Sequence, residues 1–247
     1  YTFDATFVNP TKPARLGEDV EILLKATTFS GVKLNQLAIK GEVSLTSPHI
    51  WWFPSSSKTI AVIDTTTDAN GNLIIRFSTS KNILSQLYKI NITVTTPAGE
   101  SREFHHTYSV SNNPYIVSVD KTKLIKGLTQ PKISIEQRNG GACAEDINLK
   151  ILKLATPKQV LIGNESRKID KPSYPLNEWK ELMPFAEYSN ELDIREMMVD
   201  QEIWNYSGSA TGLILSEKML NKLEEGIYRV QLNVDNALSQ THFTIVD

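Results

Sequence analysis

The stretch Tyr88-Lys89-Ile90-Asn91-Ile92-Thr93-Val94-Thr95 decides the fold class, because aromatic or aliphatic residues alternate with polar ones along it. Successive side chains of an extended chain point to opposite faces, so this alternation predicts a strand with one buried and one exposed face. A second alternating stretch, Phe104 to Val110, follows across the turn Pro97-Ala98-Gly99-Glu100. The two stretches and their turn predict an antiparallel hairpin.

Alternating strands continue through the rest of the first 112 residues. From Asp19 to Ala26, apolar side chains again occupy every second position. The turn Asp68-Ala69-Asn70-Gly71 separates the apolar residues 60–63 from a further alternating stretch at 73–77. An Asn-Gly step tolerates positive φ, so we expect a hairpin at this turn. About seven strands separated by turns, without helical periodicity, predict an antiparallel β-sandwich.

The same order of motifs appears twice, beginning at Phe3 and again at Tyr115. Each copy has a strand, a short segment that contains lysine and ends in glycine, a second strand, a glycine turn and a third strand. A shared order at domain-sized spacing indicates duplicated modules. The polar segment Ser111-Asn112-Asn113-Pro114 separates the copies. We therefore predict an all-β protein of two tandem antiparallel β-sandwich domains, residues 1–112 and 113–247.

The second domain carries an insertion, predicted at about residues 156–225, that interrupts the strand pattern. Asn177 is expected to cap a short helix from Glu178 to Met183. Residues 201–206 are expected to form an extra strand, and residues 217–223 a second helical turn. The fold class is thus a pair of fibronectin III-like sandwiches, the second with a small helical insertion.

Composition restricts the classes of partner. The chain has 247 residues and a formal net charge of −2, so it lacks the positive surface that nucleic-acid binding needs. No apolar stretch reaches the roughly 18 to 20 residues that cross a bilayer, and we expect no membrane insertion. The sequence begins Tyr1-Thr2-Phe3, which we interpret as part of a longer protein. Cys143 is the only cysteine, which excludes an internal disulfide but does not exclude export.

No catalytic, cofactor-binding or metal-binding residue is assigned from the sequence. His105 and His106 are adjacent on a predicted strand, so their side chains point to opposite faces and do not share one ion. We expect His106 to be partly buried beside Phe104 and Tyr108, and His105 to face outward. Carboxylate pairs on the predicted helices are interpreted as solvated faces, and no nucleophile motif is present. We therefore expect a protein that is not an enzyme.

The segment Ile50-Trp51-Trp52-Phe53-Pro54 is the most apolar candidate for an exposed surface. Aromatic platforms stack on sugars or anchor a partner, so Trp51, Trp52 and Phe53 form a candidate interaction surface. The alternative, which we favour, is packing, with one tryptophan in the core and the other covering the open end of the sandwich or a neighbouring domain. The basic stretch 158–171 is interpreted as an ordinary loop.

Three passages resemble the macroglobulin domains of bacterial alpha-2-macroglobulin family proteins, in particular a Bacteroidetes-type variant. The first runs from Arg15 to Val20 and continues at residues 26–32. The second is the turn-containing segment 67–77 together with the strand 88–95. The third is the segment from Asn177 to Tyr188, which is similar to a helix-then-tyrosine segment inside one domain of the bacterial proteins. The resemblance covers nearly the whole chain.

The resemblance implies macroglobulin-like domains from the N-terminal array of an exported protease-trapping inhibitor, in the periplasm or at the cell surface. The resemblance implies that the partners of this chain are other domains of the same protein. It implies that proteases are the targets of the whole protein. Many such proteins bond the protease through a thioester in a Cys-Gly-Glu-Gln motif. Cys143 stands instead in Gly-Ala-Cys-Ala-Glu, so covalent trapping does not reside here. The alternative function is an extracellular adhesin or glycan-binding module that uses Trp51, Trp52 and Phe53.

Overall fold

A computed structural model describes residues 2–46, 57–81, 85–128, 130–156, 161, 174–188, 191–212 and 223–247. Within these ranges the chain forms fourteen strands, one α-helix and one turn of 3₁₀-helix. The strands are β1 (Phe3–Val8), β2 (Asp19–Thr28), β3 (Ala38–Thr46), β4 (Ser57–Thr66), β5 (Asn72–Ser78), β6 (Ser85–Thr95), β7 (Ser101–Ser111), β8 (Tyr115–Val119), β9 (Lys123–Ile125), β10 (Ile133–Gln137), β11 (Asp146–Leu154), β12 (Val199–Ser209), β13 (Gly226–Val234) and β14 (Ala237–Val246). The helix α1 spans Leu176–Leu182. No helix in the described ranges is long and apolar enough to cross a membrane.

The chain divides into two compact units. Unit 1 contains residues 1–116 and 136–144, and unit 2 contains residues 117–135 and 145–247. The first division falls four residues beyond the predicted end of the first domain, at residue 112. The segment 136–144, which the sequence-based division assigned to the second domain, belongs to unit 1.

Unit 1 is an antiparallel sandwich of two sheets. The three-stranded sheet has the order β1-β2-β5 and the four-stranded sheet the order β4-β3-β6-β7. Alternation along β2 and β6 places one face of each strand inside, where Ile22, Leu24, Ile90 and Val94 are fully buried. The seven strands and the β6–β7 hairpin confirm the predictions made from the alternating stretches.

The predicted hairpin at Asn70-Gly71 is wrong in its pairing, although the turn exists. The Asp68 carboxylate accepts the backbone N–H groups of Asn70 and Asn72, and Gly71 has a φ of +73°. The strands on either side of the turn lie in different sheets, because β4 pairs with β3 and β5 pairs with β2. An Asn-Gly step fixes the local reversal of the chain but not the partner of the strand that follows.

The turn also explains why glycine stands at position 71. The carbonyl of Gly71 accepts the N–H of Ala26, which holds the turn against β2. A Cβ atom at position 71 would lie 2.6 Å from the carbonyl oxygen of Ala26. The positive φ and this close approach both require glycine.

Unit 2 has a five-stranded sheet in the order β12-β11-β13-β14-β9. Neighbouring strands are antiparallel except β14 and β9, which are parallel. Leu149, Val230 and Leu232 are fully buried on the inner face of this sheet. Strands β8 and β10 form a separate two-stranded sheet, and the two unit boundaries near residues 116 and 136 fall within these strands. The all-β class, with sandwiched sheets and a small helical insertion, is as predicted from the sequence.

The structure revises the predicted insertion in two respects. Strand β12 is paired with β11 along its length, so it belongs to the main sheet rather than to the insertion. The helix begins at Leu176, with Pro175 as its N-cap residue and no side-chain cap hydrogen bond, so the predicted cap by Asn177 is wrong. Proline is well suited to this position because it gives up no hydrogen bond at a helix start. The predicted helical turn at 217–223 lies almost entirely outside the described residues.

Candidate functional site: polar anchors of the two units

The aromatic segment proposed as an interaction surface, Trp51, Trp52 and Phe53, lies outside the described residues, as does nearly all of the basic stretch 158–171. Helix α1 carries the carboxylates of Glu178 and Glu181, and both residues are exposed, as the solvated-face interpretation predicted. Cys143 is buried, with 1 % of its surface exposed.

The adjacent histidines point to opposite faces of β7, as predicted. The exposed His105 ring shares a hydrogen bond with the side-chain oxygen of Asn91 at 2.9 Å. The half-buried His106 ring stacks on Phe7, with 4.8 Å between ring centroids and 14° between planes. Its Nε2 donates to Asn9 Oδ1 at 2.8 Å, and burial lowers the pKa of His106 below its usual value. The described residues hold no group of three or more histidine, cysteine and carboxylate side chains in metal-binding proximity.

His106 is the first member of a chain of neutral hydrogen bonds in unit 1, which we call the amide clasp. Asn9 accepts from His106 and donates from Nδ2 to the carbonyl of Asn139 at 2.7 Å. The side chain of Asn139 in turn bonds both backbone groups of Ser109. Its Oδ1 accepts the Ser109 N–H at 2.7 Å, and its Nδ2 donates to the Ser109 carbonyl at 2.8 Å. The amide of Asn139 thus pairs with β7 as a neighbouring strand would.

The residues beside Asn139 strengthen the same attachment. Gln137 is 7 % exposed, and its Nε2 donates to the carbonyls of Thr11 and Ala142. The backbone N–H of Arg138 donates to the carbonyl of Pro114. The glycine turn of the second copy, predicted from the sequence, is at residues 139–141. The sequence showed no sign of the contacts with Asn9, Thr11 and Ser109, because these lie 30 to 130 residues away along the chain.

Unit 2 has a different polar centre, the arginine anchor, formed by Arg229 on the outer face of the five-stranded sheet. Arg229 is only 7 % exposed, and it lies opposite the buried Leu152 of β11. Its Nη2 donates to the carbonyls of Ile194, Arg195 and Met197 at 2.8 to 3.1 Å. These carbonyls belong to the insertion between β11 and β12. The guanidinium therefore fastens the insertion to the sheet.

His242 completes the arginine anchor. It lies opposite Arg229 in the β13–β14 register, and its Nε2 accepts the Arg229 Nε–H at 3.1 Å. Only neutral imidazole offers a lone pair at Nε2, so this bond requires His242 to be uncharged. Burial and the positive charge of Arg229 lower the pKa of His242 and hold it in that form. The sequence showed no ligand pattern around His242, because Arg229 becomes its neighbour only through the hairpin.

The insertion also has a small folded centre of its own. The Trp179 ring meets Tyr188 edge to face, with 6.0 Å between centroids, and its Nε1 donates to the carbonyl of Ala186. The hydroxyl of Tyr188 donates to the carbonyl of Tyr174 at 3.2 Å. Trp179 of α1 and the tyrosine that follows the helix are thus packed against each other.

The class defined by this geometry is an all-β protein of two units with sandwiched sheets and polar anchors. The sequence matches no known protein-family model and no curated protein. Among solved structures it is similar to trypsin-activated alpha-2-macroglobulin from Escherichia coli, with a TM-score of 0.41 and 11 % identity over 100 % of this chain and 17 % of that chain. It is also similar to Salmonella alpha-2-macroglobulin reacted with methylamine, with a TM-score of 0.38 and 9 % identity over 99 % and 16 %.

A third similar structure is invasin, a bacterial integrin-binding protein, with a TM-score of 0.25 and 12 % identity over 99 % of this chain and 39 % of that chain. The chain spans less than a quarter of the length of these two alpha-2-macroglobulins. These TM-scores are too low to assign the fold. The fold class is therefore assigned from the strand order within each unit.

Proposed function

We propose that this chain is a non-catalytic structural part of an exported alpha-2-macroglobulin-like protease-trapping inhibitor of the Bacteroidetes type. The observation that carries the proposal is the helix-then-tyrosine segment of the insertion. The sequence resemblance is most specific there, and in the structure this segment contains α1 followed by Tyr188, whose ring contacts Trp179. The other two resembling passages lie in unit 1, where they contribute both ends of β2, the turn before β5, nearly all of β5 and most of β6.

The physical role of the chain would be to hold the shape of the trap. Sandwiches whose irregular segments are fastened by buried polar groups resist local opening, since each fastening group loses its hydrogen bonds when the segment moves. The amide clasp and the arginine anchor are such groups. The partners would be the other domains of the same protein, and proteases would be targets of the whole protein in the periplasm or at the cell surface.

The test uses the full-length protein that contains this chain. It is incubated with an active protease, and its sedimentation coefficient and the protease retained after gel filtration are measured. We expect the protein to become more compact and to keep the protease with it. Matched controls are the same protease inactivated at its catalytic residue and the 247-residue chain alone, neither of which should give a retained complex. Unchanged sedimentation together with fully released protease would overturn the proposal.

A further inference from the structure

An open cleft of about 540 Å³ lies at one end of the five-stranded sheet of unit 2. It is formed where β11 begins, where β12 and β13 end, and at the turn between β13 and β14. The side chains that matter for its chemistry are Asp146, Asn148, Ser207, Asn233, Asp235 and Asn236. The arginine anchor occupies the other end of the same sheet face, since Arg229 and Asn233 are four residues apart on β13.

Strand register places three of these side chains in one row. Ser207 on β12 lies opposite Asn148 on β11, and Asn148 lies opposite Asn233 on β13. Residues directly opposite in antiparallel strands project to the same face, and adjacent strands are about 4.8 Å apart. The row is therefore a ladder of polar groups on the outer face of the sheet. The next row along continues it with Asn205 and Gln231, on either side of Lys150.

Asp235 and Asn236 form the turn between β13 and β14, and both have positive φ, which explains an aspartate and an asparagine there. Strand stability does not account for Asn148 and Asn233. Asparagine and aspartate are depleted in strands, because their short polar side chains compete for backbone hydrogen bonds. Internal bonding does not account for them either. Asn148 donates to Ser207 at 3.2 Å, but the side chains of Asn233 and Asn236 make no hydrogen bond within the described residues. Their donors and acceptors are available to a ligand.

The chemistry of the lining selects the class of ligand. A side-chain amide both donates and accepts hydrogen bonds, which complements hydroxyl groups that do the same. The two carboxylates accept further hydroxyl hydrogens and oppose an anionic ligand. The aliphatic lining residue Ile147 is 2 % exposed, so it offers little surface to an apolar ligand.

A calcium ion is the competing ligand for carboxylate and amide oxygens. Calcium requires about six to eight oxygens within about 2.6 Å, converging on one point. The cleft is far wider than a single ion, and no described group of three or more metal-binding carboxylate, histidine or cysteine side chains converges there. A pocket of this volume is within the range of small-molecule sites.

We propose that this cleft binds a neutral saccharide through the ladder of Asn148 and Asn233, with Asp146 and Asp235 as further acceptors. The site uses none of the residues Trp51 to Phe53, and binding there does not depend on a protease. It extends beyond the trapping role, because it gives the protein a carbohydrate ligand at the cell surface.

The experiment titrates the 247-residue protein with glucose, mannose, N-acetylglucosamine, lactose and maltose, and follows amide chemical shifts by NMR. We expect at least one saccharide to shift resonances of Asn148, Asn233 and Asn236, with a dissociation constant of about 1 mM, as is usual for small polar ligands in open sites. Replacing Asn148→Leu or Asn233→Leu should weaken binding about tenfold, because each removes one or two hydrogen bonds. The matched control, Asn91→Leu on β6, changes an asparagine of unit 1 that does not line the cleft, and it should leave the affinity unchanged.

Three outcomes would overturn the proposal. One is that none of the five saccharides shifts these resonances. Another is that binding persists at full strength in the Asn148→Leu, Asn233→Leu double variant, which would place the sugar elsewhere, for instance at Trp51 to Phe53. The third is that calcium chloride, and no saccharide, shifts the cleft resonances, which would make the cleft a cation site. Protease retention is measured separately, so failure of either proposal is recognised independently of the other.

Discussion

The two units each fasten an irregular segment to a sheet, and they use opposite kinds of chemistry. In unit 1 the neutral amide of Asn139 pairs with the backbone of Ser109. In unit 2 the charged guanidinium of Arg229 holds three carbonyls of the insertion and an imidazole. A buried neutral amide has a small desolvation cost, whereas a buried cation has a large one that only several strong hydrogen bonds offset.

This difference indicates where each unit is vulnerable. Loss of the amide clasp leaves the N–H and the carbonyl of Ser109 without the Asn139 amide. Both groups lie on β7 at the edge of a sheet, where water can replace that amide. Loss of the anchor removes a group that ties residues 194–197 to the sheet through three hydrogen bonds. We therefore expect unit 2 to be more sensitive than unit 1 to a single substitution and to pH.

The largest effect is expected for Arg229→Met, which keeps an apolar stem but removes the guanidinium. Several charge-assisted hydrogen bonds are lost together, so we expect the free energy of unfolding to fall by about 3 kcal/mol. Hydrogen exchange should increase at residues 191–198, while the peptides of unit 1 keep their protection. Denaturant titration and exchange mass spectrometry measure the two effects.

The control for this substitution is Arg195→Met. The Arg195 side chain is 76 % exposed and bonds to its near neighbour Asp193, and exposed pairs of this kind contribute less than about 1 kcal/mol. If the two substitutions destabilise the protein equally, Arg229 does not anchor the insertion.

A smaller effect is expected for Asn139→Ala, which removes the two side-chain bonds to Ser109. At about 1 kcal/mol for each neutral bond, the loss is about 2 kcal/mol. The Ser109 N–H should exchange faster with solvent, as measured by NMR, because its acceptor is gone. The control Asn91→Ala removes an amide whose partner His105 is exposed, and it should cost less than about 0.5 kcal/mol. Unchanged exchange at Ser109 would contradict the clasp.

The smallest effect is the dependence of stability on pH. Burial lowers the pKa of both His106 and His242 in the folded protein. The unfolded chain therefore binds protons first as the pH falls below about 6.5, and the free energy of unfolding decreases from there down to the folded pKa values. Well above about pH 6.5 both histidines are neutral in either state and contribute no slope.

The two histidines should contribute unequally to the change of the free energy of unfolding with pH. A protonated His106 still donates from Nε2 to Asn9, whereas a protonated His242 loses its bond from Arg229 and faces that charge at 3.1 Å. The positive charge of Arg195 adds to the repulsion, and Asp193 opposes it. We expect His242→Gln, whose carbonyl still accepts from Arg229, to flatten the stability profile between about pH 5 and 7 more than His106→Gln, as measured by urea denaturation. The reverse order would show that the clasp is the more sensitive site.

Local alternation allowed much of the fold to be predicted. A period of two residues can be recognised from neighbouring positions in the sequence. It predicted the strand Tyr88 to Thr95, the hairpin that follows it and the opposite orientations of His105 and His106. The pairing of β4 and β5 was predicted wrongly for the same reason. The turn at Asn70-Gly71 is a local signal, but the sheet that each strand joins is decided by which faces are buried against each other.

The orientation of His106 was predicted, but the long-range hydrogen bonds of the polar groups at the candidate sites could not be. Asn139 stands in a recognisable glycine turn, yet its partner Ser109 is 30 residues earlier. Arg229 and His242 look like ordinary strand residues until the hairpin places them opposite each other. The ladder of Ser207, Asn148 and Asn233 combines residues from three strands. These residues lie opposite one another only in the observed register of the strands.

The sequence by itself determined the all-β class, the positions of most strands and the inward or outward direction of their side chains, because these follow from the chain's local periodicity. Only the tertiary structure decided the sheet order, the membership of residues 136–144 in unit 1, the two polar anchors and the cleft. These features depend on strand register and on contacts between residues far apart in the chain. Such contacts are selected by burial of the whole core, and no short segment encodes them.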